Sequence, residues 1–402
     1  MKTVAIISEY NPFHSGHLYQ IRRIREEFGA DTRIVAIMSG NYTQRGQIAM
    51  IDKSTRAKMA VLSGVNLVLE LPFPYSMGSA EFFAEAGVSI AQRLGCIDIL
   101  SFGSECGNLD LLKKTASLML DEAFLLRIRA LEAEKPQLGH AELTEAVVTE
   151  FLGETAHALL SPNNILALEY LKALQRMKST VVPHTVMREG AGYSASEIDT
   201  TCPHQSATAI REALCAGDAS AINYIPEAAR EVLYKEMKAG FAPCLEERLS
   251  SAILAHFRLS SPSASCDIQE ARGGLYNRLI TKSYEAHDIS SLAALTETKK
   301  FTNARIRRAI WYSFFGVTSS DVKSYPSFTR VLALDSKGQA ILRTAKRTAR
   351  ICVVTKPSET LLCPNAAREK AVSDGADAVF QLTKPAPASG NHAMLTSPFF
   401  KE

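Results

Sequence analysis

Four short apolar runs recur through residues 3–105: "TVAIIS" (3–8), "TRIVAIMSG" (32–40), "VNLVLELP" (65–72) and "CIDILSFGSE" (96–105). The segments between them carry helical spacing. Leu18, Ile21, Ile24 and Phe28 recur on one face and stop at Gly29; "DKSTRAKMAVLSG" closes at Gly64, and "SAEFFAEAGVSIAQRLG" at Gly95. Glycine just past a periodic run is a helix stop. Buried strands alternating with helices at this rhythm predict a parallel sheet covered on both faces.

Beyond this core, residues 106–180 read as mainly helical, "STVVPHTVMRE" (179–189) as one more strand, and "SATAIREALCAG" (206–217) as a capped helix. After about 218 the pattern becomes helical, with a short β-like ending near "RICVVT". The chain has 402 residues, too long for one typical domain. It is therefore divided into an α/β unit over 1–217 and a mainly helical unit over 218–402.

Composition excludes several classes. A 46% apolar and 22% charged chain is ordinary for a globular protein. No stretch approaches the roughly 20 apolar residues that span a bilayer, and the N-terminal apolar run, cut at Glu9, is too short for a signal peptide. The eight cysteines are scattered, with no Cys-x-x-Cys pair, which favours a reducing compartment over a disulfide framework or zinc site. A cytoplasmic location is expected. The net charge of +3 points to no partner by itself.

His14 and His17, in "SEYNPFHSGHLYQIRRIREEF" (8–28), fall where the first strand hands over to the first helix. In an open parallel sheet that carboxyl-end crevice is where ligands bind. Helix N–H groups there favour an anion, two imidazoles can add donors to phosphate oxygens, and Gly16 lets a ligand approach the backbone.

A strand, then Pro-x-His-x-Gly-His, then a helix resembles the nucleotidyltransferase superfamily. More narrowly, "SEYNPFHSGH", "SGNYTQRG", "DKSTRAKMA", "ELPFPYSMGSAEFFAEAGV", "SFGSE", "SPNNILALEYLKAL" and "REGAGY" resemble the bacterial tRNA(Met) cytidine acetate ligases. The likeness runs from residue 2 to about 215 and returns, weaker, at "GGLYNRLITK", "KFTNARIRRAI" and "YPSFTRVLALDSKG". It implies a Rossmann-like parallel-sheet nucleotidyltransferase domain. It also implies activation of acetate by ATP as acetyl-adenylate, followed by acetyl transfer to N4 of the wobble cytidine of elongator tRNA(Met). Such catalysis is mainly positioning and electrostatic stabilisation. Mg²⁺ is expected to neutralise the triphosphate, with ligands the sequence does not name.

The resemblance implies His14 and His17 as catalytic donors. It assigns the ATP contact to the run Ile7, Ser8, Glu9, Tyr10, Asn11, Pro12, Phe13, His14, Ser15, Gly16, His17, Leu18, Tyr19 and Gln20, joined by Gly103, Asn163 and Arg188. "SATAIR" resembles the second phosphate-binding element of the superfamily, with Ser206 and Thr208 offering hydroxyls and Arg211 a charge. Lys53 and Arg56 are candidate helpers at another strand-to-helix junction. The family pattern has a histidine after "GAGY"; this chain has Ser194, Ala195 and Ser196 there, which leaves handling of acceptor or nucleotide in question.

Between 297 and 350 twelve Lys and Arg face three acidic residues, a local net of +9. Such concentration is an electrostatic footprint for nucleic acid, and Arg305, Arg307 and Arg308 are the expected tRNA contacts. Neighbouring Trp311 and Tyr312 read as core. Two alternatives remain: a small-molecule adenylyltransferase, which would not need the basic region, and a non-catalytic RNA-binding protein with a decayed site.

Overall fold

The computed structural model describes residues 1–153, 159–190, 197–199, 201–262, 267–364 and 366–402. Its N-terminal part is the expected strand–helix alternation: β1 (Thr3–Ser8), α1 (Ser15–Phe28), β2 (Arg33–Ser39), α2 (Lys53–Leu62), β3 (Leu67–Leu71), α3 (Ala80–Leu94), β4 (Ile99–Ser104) and β5 (Val182–Met187). Alternate residues of each strand serve opposite faces, as the pleat requires. Ala5, Ile7, Val35 and Ile37 join one core, while Val4, Ile6, Ile34, Ala36 and Met38 join another on the far face. Local signals set the helix ends: Asp52 accepts Ser54 N–H, Ser79 accepts Phe82 N–H, and Gly95 takes the left-handed conformation (φ 67°) that closes α3.

With β6 (Phe328–Asp335), β7 (Cys352–Val354) and β8 (Phe399–Lys401), the strand order is β5-β4-β1-β2-β3-β6-β7, and β8 pairs β6. Pairings from β5 to β3 are all parallel. Chain direction across the sheet reverses between β1 and β4, so the crevice outside their carboxyl ends is the topological switch point.

The division at 217/218 does not survive. β6 (Phe328–Asp335) joins β3 antiparallel, and β7 (Cys352–Val354) and β8 (Phe399–Lys401) pair with β6. The helix Glu227–Lys238 supplies Ala229, Val232 and Leu233 to the second sheet-face core. The mainly helical part is thus an insertion between two passes through one sheet, with its own core around Trp311 and Phe257. "FTRVLALD" carries a charged Arg330 mid-strand, which masks a buried strand in the sequence; Arg330 is neutralised by Asp374 and Asp377. The β-like "RICVVT" ending is β7.

Candidate active site

The loop after β1, the carboxyl end of β4 and Arg188 just past β5 meet the N-terminal end of the helix Ala207–Cys215 around a cavity of about 420 Å³. His14 and His17 stand at its centre through a reciprocal cap on α1. His14 is the N-cap, and its Nδ1 accepts Gly16 N–H at 3.1 Å. His17, at the third helical position, accepts the His14 N–H on Nδ1 at 3.2 Å. Two orphan helix donors are satisfied in this way. The bonds also assign the tautomer: with Nδ1 accepting, each neutral ring carries its proton on Nε2. The rings lie 3.9 Å apart. Burial, reinforced by Arg188, His204 and Arg211, lowers the His14 pKa to about 3. Burial, then His14 and Arg188, holds His17 well below its ordinary value. Both imidazoles are neutral donors near pH 7.

The preceding loop is anchored rigidly. Tyr10 is 1% exposed and packs edge-on to His17 at 4.7 Å. Asn11 accepts Met50 N–H, and its carbonyl takes Arg211 Nη1 at 2.7 Å. Ile7, Ser8, Glu9, Tyr10 and Asn11 line the cavity, as do Gln20 and the two histidines; Gly16 and Tyr19 line a smaller adjoining pocket that shares both histidines. Pro12, Phe13, Ser15 and Leu18, the remaining members of the expected run, stand behind this lining. Phe13 is core under the histidines, Leu18 packs on the same core, Ser15 bonds His204, and Pro12 lies between them on the loop, outside the lining.

Gly103, Asn163 and Arg188 also meet in the wall. Arg188 Nη1 donates to Asn163 Oδ1 at 3.1 Å, and a Cβ on Gly103 would sit 3.2 Å from Arg188 Cγ. The glycine therefore lets the arginine lie across the strand end. Glu105 fixes Asn163 by accepting its Nδ2 at 2.5 Å and its N–H at 3.2 Å. Burial acts to raise the Glu105 pKa, but hydrogen bonds from Asn163 and Ser161 outweigh it and hold the carboxyl below its usual value. Ser206, Thr208 and Arg211 line the same cavity; Ser206 caps its helix through Ala209 N–H, and Thr208 accepts Arg211 Nη2.

Three groups were not foreseen. Glu105 is one. His204 is another: its Nδ1 lies 3.0 Å from Ser15 Oγ and its ring 5.4 Å from Tyr19. Its place two residues before Ser206 was the only sequence signal. The third is an outer arm in which Thr43, Gln44, Arg45, Gln47, Asn303 and Ala304 join Arg307, which was expected to contact tRNA but not to line this cavity. The segment Ser194–Ser196 lies outside the described residues.

Lys53 and Arg56 are not ligand-facing helpers. Lys53 is buried against Glu70 and Asp377, and Arg56, 0% exposed, donates to the carbonyls of Ile51, Glu9, Ser39 and Gly40. The basic patch needs a similar correction. Arg307 is buried on Glu246, Arg308 on Glu270, and Arg305 donates to the carbonyls of Glu270 and Arg272. These three do not form an exposed phosphate-binding face, because acids distant in sequence offset them. Exposed Arg343, Lys346 and Arg347 lie on the helix Ser336–Thr348. Both its ends, through Lys337–Asp31 and Thr348–Leu94, sit at the amino edge of the sheet, opposite the histidines. Trp311 and Tyr312 are core, as expected.

Among the described residues no group of three or more His, Cys, Asp or Glu could hold a metal ion. Mg²⁺ that is carried on nucleotide phosphates needs no all-protein cage, and Glu9 is the carboxylate in the cavity lining. No described helix is long and apolar enough to cross a membrane.

A doubly covered, mostly parallel sheet whose switch-point crevice sets Arg188 and Arg211 beside two neutral imidazoles defines a nucleotide-handling α/β protein. The family described as HIGH Nucleotidyl Transferase matches residues 1–393. A Caldanaerobacter subterraneus protein named tRNA(Met) cytidine acetate ligase is 34% identical, over 89% of this chain and 90% of its own length. A Halothermothrix orenii protein of the same name is 32% identical, over 88% and 87%. The crystal structure of Thermotoga maritima TmcAL superposes with a TM-score of 0.93 at 26% identity, covering 100% of this chain and 99% of that one. Its form bound with alpha-thio ATP gives 0.91. The chain belongs to the HIGH nucleotidyl transferases and, within them, to the tRNA(Met) cytidine acetate ligase family.

Proposed function

We propose that this enzyme activates acetate with ATP and passes the acetyl group to N4 of the wobble cytidine of elongator tRNA(Met). A carboxylate oxygen of acetate attacks the α-phosphorus, and pyrophosphate leaves. The cytidine N4 then attacks the acyl carbon, AMP leaves, and the amine sheds one proton. The observation that carries this reading is the pair of Nε2–H tautomers fixed by backbone bonds to each Nδ1. Neutral donors held in place need no reorganisation as charge builds on the α-phosphate. Arg188 and Arg211, beside them, suit the phosphates by their planar donor forks, and Asn163 orients Arg188. Mg²⁺ would arrive on the triphosphate and neutralise the leaving group. The relatives' name and the alpha-thio ATP bound to the Thermotoga protein support the same assignment.

The test is incubation with ATP, labelled acetate and bulk tRNA, then digestion to nucleosides. Label in N4-acetylcytidine from elongator tRNA(Met) is the expected result. ATP consumption without any modified tRNA would favour a small-molecule adenylyltransferase instead.

A further inference from the structure

The cavity wall continues past the histidines, Arg188 and Arg211. Its outer arm is walled by the loop after β2, through Thr43, Gln44 and Gln47, and by the first turns of the helix Asn303–Phe314, through Asn303, Ala304 and Arg307. This loop and helix are built to meet. A Cβ on Gly46 (φ 77°) would lie 2.6 Å from Arg308 N and 2.8 Å from the Arg307 carbonyl carbon, and Trp311 Nε1 donates to Gly46 O at 3.1 Å. On the cavity side, Gln44 N–H donates to Glu9 Oε1 at 2.8 Å, which joins the outer arm to the histidine loop.

Arg307 is the informative group. It is 9% exposed and lines the cavity. Its Nη2 donates to Glu246, while its buried Nε has no hydrogen-bond partner among the described residues. A buried guanidinium with its charge already matched has donor capacity left but little call for a second anion. A neutral ring carbonyl suits it better than a carboxylate. Asn303, exposed at the helix start, offers an amide with both a donor and an acceptor.

We infer that this outer arm seats the acceptor base, an extruded cytosine whose O2 and N3 edge faces Arg307 and Asn303 while its N4 amine reaches the acyl group held near the histidines. The inference rests on the function proposed above and adds where and by what the acceptor is read. An exocyclic amine stacked in a helix or loop is out of reach, so such enzymes take the base out and bind its edge. The one cavity then serves both steps.

The experiment compares two rates on one preparation: acetate-dependent pyrophosphate–ATP exchange, and acetyl transfer to an elongator tRNA(Met) transcript. Arg307→Lys keeps the pairing with Glu246 but loses the planar fork, and Asn303→Ala alters an exposed residue that the fold does not need. Each is expected to lower the ratio of transfer to exchange roughly tenfold or more, the scale of one hydrogen bond to a charged or polar edge. A transcript carrying 2-thiocytidine at the acceptor position should slow the wild type by a similar factor and Arg307→Lys little further. An unchanged ratio, equal loss of both rates, or an undiminished thio effect in Arg307→Lys overturns the assignment. A wild type that exchanges pyrophosphate but modifies no tRNA overturns the proposed function on which it rests.

Discussion

The Nδ1 of His17 accepts the backbone N–H of His14 at 3.2 Å, and each histidine ring thereby caps α1 through Nδ1 and carries its proton on Nε2, the donor proposed for the α-phosphate. The two roles can be separated. Asparagine is a good N-cap, so His14→Asn should melt close to the wild type while losing the Nε2–H. Its acetate-dependent pyrophosphate exchange should fall by about a hundredfold, as loss of a transition-state donor does. His14→Ala should lose both activity and about 1 kcal/mol of stability. Near-normal exchange by His14→Asn would show that the ring serves only the cap.

The neutral state of His14 has a consequence for stability. Its folded pKa, about 3, lies below the ordinary 6.5, so between these values the unfolded chain binds a proton that the folded protein does not. Stability is therefore whole above about pH 6.5 and is lost as pH falls toward 3. From pH 7 to pH 5 the loss attributable to His14 is about 2 kcal/mol. Urea unfolding at the two pH values should show a larger drop for the wild type than for His14→Asn; parallel drops would contradict the burial argument.

Gly103→Ala tests the arginine that crosses the strand end. The new methyl would press on Arg188 Cγ from 3.2 Å, and the arginine's bond to Asn163 holds it from the other side. The KM for ATP should rise several-fold with the melting temperature nearly unchanged. A large loss of stability would mean that the glycine serves the fold instead.

Arg56→Met tests the support under the histidine loop. Arg56 ties Glu9, on the loop after β1, to Ser39 and Gly40 at the end of β2. Removing it leaves buried carbonyls without donors, each costing about 1–3 kcal/mol. Stability should fall by about 3 kcal/mol or more, measured by urea unfolding. A change below about 1 kcal/mol would exclude this role.

The sheet and its carboxyl-end site were legible because local patterns carry them: apolar runs for β1 to β4, and His14 and His17 three residues apart in sequence. Arg188 and Arg211 came from short motifs at element ends. Long-range pairing was not legible. Nothing near Arg307 or Arg308 announces Glu246 or Glu270, so twelve clustered cations looked like an exposed patch. β6 was hidden for the same reason, since Arg330 makes a buried strand look amphipathic until Asp374 and Asp377 close on it. His204 carries no motif, and Glu105 ends "SFGSE" without a role that motif announces; the fold brings them to Ser15 and Asn163.

The most direct test of adenylation concerns the acyl donor. The enzyme is supplied with elongator tRNA(Met) and either free acetate with ATP or acetyl-coenzyme A without ATP. Acetylation with the first pair alone, with AMP and pyrophosphate released and inhibition by added pyrophosphate, is the predicted result. Full acetylation from acetyl-coenzyme A without ATP would contradict the adenylate mechanism.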